Sequence, residues 1–220
     1  MILFGRTQKA SPMLRFVLFI CTMAAAQPLA RDIAFTAMFN ENRLNCTTAS
    51  PTPFTRYWDL DWQNFACISG PSSPPEVGVS NPFNPNYAVH LPSSEPASIT
   101  TITALENFDL MGFCFGCWLS ESSTTAPNAA VACQVAVTGY LPDGSAYEPY
   151  YYTFAPSNGT APMLCNIGVP TRPRLRQLGR VTFEVTSGVF TSETVLGFDA
   201  VQIAIDYNSS DPFSNRGVRR

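Results

Sequence analysis

From Arg31 onward the apolar residues of this chain alternate with polar or small ones, and clusters of turn-forming residues break the alternation at short intervals. A period of two places successive side chains on opposite faces of an extended backbone, so the pattern predicts strands. In VTFEV the residues Val181, Phe183 and Val185 share a face; in VQIAIDY so do Val201, Ile203, Ile205 and Tyr207. VACQVAVTGY lines up Val131, Cys133, Val135 and Val137, then runs into LPDGSAYEPYYYTF. There Pro142 presets φ and Gly144 accepts a positive φ, which predicts a hairpin over 132–155. Further strands are expected at 31–38, 62–68, 86–91, 98–104 and 108–119. Two long loops, Ser69 to Asn86 and Ser120 to Ala130, separate them. No window carries a capped helical period. About nine short strands with scarce helix predict an all-β fold, a two-sheet antiparallel sandwich of jelly-roll type, as one domain over 27–207.

The first residues differ in kind. Arg6, Lys9 and Arg15 precede the apolar run Phe16 to Ala26, and Ala24, Ala25 and Ala26 end it with small side chains. That run is shorter than the ~20 residues that span a bilayer, so 1–26 is expected to be a cleaved secretory signal, with Ala30 a second possible cut. Residues 208–220 form a polar tail. Loss of 26 from 220 residues leaves 194, enough for one substantial core. It also removes three of the 13 basic residues, so ten arginines face 16 acids and no lysine remains. An acidic, lysine-free surface argues against nucleic acid or an anionic membrane as partner. A secreted, extracellular monomer is expected, with sequons at Asn45, Asn158 and Asn208 as possible glycosylation sites.

Cys21 leaves with the signal and six cysteines remain, an even number as a secreted disulfide framework requires. Cys114 and Cys117 form a C-x-x-C, which fits a redox dithiol, half a zinc site or two unrelated disulfides. In a strand, residues three apart lie roughly 10 Å from each other, beyond the ~7 Å between Cα atoms that a disulfide tolerates. No helix begins at Cys114 to make a thioredoxin-like motif, and His90 is the one histidine in the chain, so zinc lacks a second ligand pair. Disulfides to other partners follow. Cys117 with Cys133 would close adjacent strands across the 120–130 loop, Cys46 with Cys67 would do the same across 47–66, and Cys114 is left with Cys165.

A resemblance enters with Trp58-x-x-x-Trp62-x-x-Phe65, Asn81-Pro82 ahead of Tyr87-Ala88-Val89, Phe115-Gly116-Cys117, Val137-Thr138-Gly139-Tyr140 and Phe198-Asp199-x-Val201. Over residues 56–207 this succession resembles a group of secreted fungal β-sandwich proteins of uncharacterised activity, which are similar in pattern to jelly-roll carbohydrate-binding modules. The resemblance implies a sandwich and brings no activity with it.

Sugar binding on such a surface uses exposed aromatic rings against pyranose C–H faces. The candidate ligand-binding residues are Tyr57, Trp58, Tyr150 and Tyr152. Trp62, Phe65 and Trp118 are expected in the core, and Tyr151 must point opposite to its two neighbours. Asp199 is placed just before the last strand, where it would cap backbone N–H groups or, with Asp32 or Glu41, hold calcium; too few oxygens can be named for calcium, and neither metal nor cofactor is expected. No nucleophile elbow occurs, His90 would have to serve any triad alone, and the carboxylates of Asp59, Asp61, Glu106, Asp109 and Glu184 form no recognisable pair. Arg172, Arg174, Arg176 and Arg180 make the one basic cluster, a solvated loop or a contact for an acidic polysaccharide or a protein surface. The sequence thus points to a non-catalytic binding protein for cell-wall polysaccharide, or to an extracellular interaction protein without glycan affinity.

Overall fold

The computed structural model describes residues 32–39, 44–47, 50–69, 79–80, 86–92, 95–102, 107–120, 122–123, 128–157, 161–166, 175–188 and 191–206. The expected signal, the tail, Asn158, Asn208, Glu41, Glu106, Arg172 and Arg174 lie outside them. Thirteen strands are present among the described residues: β1 (Asp32–Ala37), β2 (Thr52–Tyr57), β3 (Leu60–Ser69), β4 (Val79–Ser80), β5 (Asn86–His90), β6 (Ala97–Thr101), β7 (Asn107–Leu119), β8 (Cys133–Tyr140), β9 (Tyr150–Phe154), β10 (Ala161–Pro162), β11 (Leu164–Asn166), β12 (Arg180–Gly188) and β13 (Thr194–Asp206). The fold is all-β, as the alternation predicts.

Eleven strands form one hydrogen-bonded sheet in the order β11-β7-β13-β5-β3-β6-β12-β8-β9, with β1 added to β13 and β2 to β3; β4 and β10 pair separately and parallel. The two separate sheets expected from sequence are therefore joined. The antiparallel sheet wraps the core and nearly closes into a barrel. Its near wall is β7, β13 and β5, and its far wall is β6, β12, β8 and β9.

The joint is β3. Residues 66–69 pair with β5 and residues 60–63 pair with β6, so one edge of a single strand serves both walls. Between them Asn64 adopts φ 61°, a left-handed conformation that asparagine tolerates better than most residues. The extra residue resets the alternation, so Trp62 and Phe65, three apart, both point inward. Asn64 Nδ2 donates to the Pro96 carbonyl at the entry to β6, 3.0 Å away. The Asn64 carbonyl lies 3.0 Å from His90 Nδ1 at the end of β5, which donates to it when that nitrogen carries the proton. His90 is thus a strand residue, as expected, and it clamps the fork.

At the centre, Phe65 (β3), Phe113 (β7), Phe183 (β12) and Phe198 (β13) meet with centroid distances from 4.9 Å, for Phe183 and Phe198, to 6.4 Å, for Phe65 and Phe183. All four are buried. The near wall's outer face is covered as well. Val79 and Met163 lie over Gly116, and a Cβ on Gly197 would collide with the Trp118 ring.

The disulfides join Cys46 to Cys67, Cys114 to Cys165 and Cys117 to Cys133, the three pairs the spacing predicts. Cys114 and Cys165 are directly opposed on β7 and β11. Cys117 and Cys133 do not close adjacent strands, however. β7 and β8 follow each other in the chain but lie far apart along the sheet, so this bond crosses from one wall to the other. The chain reaches β8 by first pairing with β7, through Leu119 N–H to Ala129 O and Val131 N–H to Cys117 O.

Replacing Cys117 and Cys133 together by Ala should lower unfolding free energy by about 2 to 4 kcal/mol, measured by urea titration. The fork has a pH signature. Burial holds the His90 pKa below its ordinary value, outweighing the upward pull of the Asn64 carbonyl. A base with a depressed folded pKa binds fewer protons than in the unfolded chain, so its contribution is complete above about pH 6.5 and is lost as pH falls below that. Unfolding free energy should therefore drop more steeply between about pH 7.5 and 5.5 in the parent than in His90→Gln.

Candidate functional site

The two walls treat their outer faces differently. Segments β4 and β10 cover part of the near wall, whereas the far wall carries a row-by-row array of polar side chains with no described segment laid over it. In β12 the inward residues are Val181 and Phe183, so Arg180, Thr182 and Glu184 point out. In β8, Val135 and Val137 are inward, leaving Gln134, Thr138 and Tyr140 outside. Strand register aligns these into rows: Arg180 beside Tyr140, Thr182 beside Thr138, and Glu184 beside Ala136 and then Tyr151 of β9. Thr153 stands beside Gln134.

Two tyrosine rings lie on this face, and of these Tyr151 is the open one, 57% exposed. The residues chosen from sequence are its neighbours, and the structure corrects that choice. Tyr152 is buried at 7%, its ring 5.1 Å from Phe113 and 6.2 Å from Phe115 across the gap where the sheet nearly closes. Tyr150, on the same side of β9, is partly buried and packs against the core. The cause is a register slip in the hairpin. Leu141 N–H bonds to Ser145 O and Tyr140 pairs with Ala146, a pattern that would continue as Val137 with Pro149 and Val135 with Tyr151. The observed partners are Val137 with Tyr150 and Val135 with Tyr152. One extra residue before β9 exchanges the two faces of the strand. The turn itself is as predicted: Gly144 has φ 86°, and Asp143 Oδ1 accepts from the backbone N–H and hydroxyl of Ser145, bonds that lower the Asp143 pKa.

Tyr57 is also core rather than surface, 3% exposed and stacked on Phe39 at 5.5 Å. Trp58 is half-buried and stacked on Phe35 at 5.1 Å, at the tip of the β2–β3 hairpin where Trp58 and Asp59 have φ 52° and 55°. Trp62, Phe65 and Trp118 are buried, as expected. Asn45 is exposed.

The carboxylates have local tasks. Asp59 lies 3.8 Å from Arg56 at an exposed turn. Asp109 Oδ1 accepts the backbone N–H of Gln177 at 2.8 Å and so holds the segment that leads into β12. Asp199 is fully buried on the covered near wall, opposite Cys114. It stands inside β13 rather than before it, because that strand begins at Thr194 and continues through a bulge where Ala200 has φ 48°. Among the described residues no group of three His, Cys, Asp or Glu side chains is placed to hold a metal, and no helix is long and apolar enough to cross a membrane.

No protein-family model matches the chain, and no curated protein sequence matches it. Among solved structures it is similar to a DUF4465 family protein from Bacteroides caccae, at 12% identity and TM-score 0.46 over 80% of this chain and 94% of that one. It is also similar to an arabinose-bound GH51 α-L-arabinofuranosidase, at 13% identity and TM-score 0.35 over 74% of this chain and 26% of that one.

Tyr151→Ala should leave the thermal midpoint close to that of the parent. Tyr152→Ala, which empties space beside Phe113, should cost about 3 kcal/mol or more, and differential scanning calorimetry of both variants reads the contrast.

Proposed function

We propose that this is a secreted, non-catalytic binding protein that adsorbs to cell-wall polysaccharide through the outer face of its far wall. One observation carries the reading: a tyrosine ring 57% exposed at the edge of an open array of small polar residues, Thr138, Thr182, Gln134 and Thr153. A ring on a flat surface offers a stacking face to a pyranose, and flanking hydroxyls and amides offer hydrogen bonds to its oxygens. Three disulfides support an oxidising compartment, in keeping with a signal at 1–26. The jelly-roll arrangement belongs to the same proposal, with β3 as the strand that fuses its two halves.

A single stacked ring contributes on the order of 1 kcal/mol, so binding should be weak. Retention of the mature chain on insoluble chitin, glucan, mannan, cellulose and pectin tests the proposal. Retention on at least one, reduced about fivefold by Tyr151→Ala, supports it. Recovery of the protein in solution from all five eliminates glycan binding and favours an extracellular interaction protein.

A further inference from the structure

Arg180 opens β12 at one end of the far wall. Its guanidinium carbon lies 4.0 Å from the centre of the Tyr140 ring, its partner in register on β8. Tyr140 is itself anchored, because its carbonyl accepts the Gly179 N–H at 2.8 Å and the turn of the hairpin follows immediately. The arginine is exposed, yet its head is placed by the ring rather than by a carboxylate. The ion pair of Arg56 with Asp59 lies elsewhere, at the turn between β2 and β3. Asp61 shares the row of Arg180 through Thr100, two strands away and so about 10 Å distant. Glu184 is four residues further along β12, about 13 Å. Neither forms an ion pair with Arg180. Arg176, also exposed, enters at the same end through the segment that Asp109 holds.

We infer that the ligand of this face is a carboxylated polysaccharide, and that Arg180, oriented by Tyr140, takes a uronate carboxylate while Tyr151 stacks on a sugar further along the chain. The inference rests on the glycan-binding reading above and adds the class of glycan. Two features favour carboxylate. The positive charges beyond residue 26 are all arginines, and a guanidinium presents parallel N–H donors that match the two oxygens of a carboxylate, which a lysine head does not. Stacking over a ring also removes much of the side-chain freedom that an exposed arginine would lose on binding. Tyr151 lies four residues along the strands and two strands across from Arg180, roughly 17 Å away, so the face suits an extended polymer rather than one sugar.

The test uses the mature chain with polygalacturonate, a sulfated galactan and a neutral β-glucan, at low and high NaCl, and the variants Arg180→Ala, Arg180→Lys and Tyr151→Ala. Polygalacturonate retention should fall about tenfold in Arg180→Ala, fall less in Arg180→Lys, and weaken with salt, with neutral glucan unaffected by either arginine change. Unchanged melting of the variants, expected for an exposed side chain, attributes the loss to contact. Polygalacturonate retention equal in Arg180→Ala and parent overturns the inference, and so does Arg180-dependent retention of the sulfated polymer alone. Binding of neutral glucan alone, sensitive to Tyr151→Ala, refutes the uronate assignment and leaves the glycan reading standing. Binding of none of the three at any salt overturns both.

Discussion

Four phenylalanines, one each from β3, β7, β12 and β13, face one another at the centre, and the remainder of the molecule is arranged to keep water from them. Their rings come from both walls, so a flat sheet cannot bring them together. Either two sheets must stack or one sheet must turn back on itself. This chain uses the second solution, and the turn is concentrated at Asn64, where a single left-handed residue lets β3 pair with β5 and then with β6. At the fork the Asn64 side-chain amide donates to the Pro96 carbonyl, and the Asn64 carbonyl, which no ladder partner takes up, meets the His90 ring.

Much of this was legible in the alternation. The strands at β1, β3, β5 to β8 and β12 were expected from sequence; in β8 and β12 one side meets the core and the other does not, whereas most of β5 and β7 is buried on both sides. β2 was missed since TPFTRY contains Pro53, which a ladder accepts only at an edge, and β2 does pair with β3 alone within the main sheet. The first half of β13 was missed for a different reason. Gly197 and Asp199 look like loop residues, but Gly197 is there because the Trp118 ring fills the space of its side chain, a contact no local window contains. The joining of the walls was hidden in the same way: the three-residue spacing of Trp62 and Phe65 records the bulge, yet only the partners of β3 reveal a corner. The cysteine pairs were accessible because strand geometry forbids Cys114 from bonding to Cys117, and loop length then limits the choices.

The candidate site was legible in kind and not in detail. Three consecutive tyrosines in a strand must divide between two faces, which guarantees a surface ring but does not say which one. Continuing the Tyr140–Ala146 pairing along the hairpin would assign the faces wrongly, since a slipped residue before Tyr150 intervenes, and local sequence does not mark that slip. The pairing of Arg180 with Tyr140 was further out of reach, because forty positions separate them in the chain and only the register of β8 against β12 brings them together.

The bond between Cys117 and Cys133 gives the molecule a property that the hydrogen bonds alone do not. From β7 the ladder runs through β13, β5, β3, β6 and β12 to β8, and the disulfide returns from β8 to β7, so the core is encircled by a continuous belt of which one link is covalent. A barrel that is open at β9 is in this way prevented from unrolling at its seam. The belt also covers the chain segment it bypasses: a peptidase cutting between residues 118 and 132 would sever the backbone without separating the fragments, and nicked molecules would stay whole until a reductant released them.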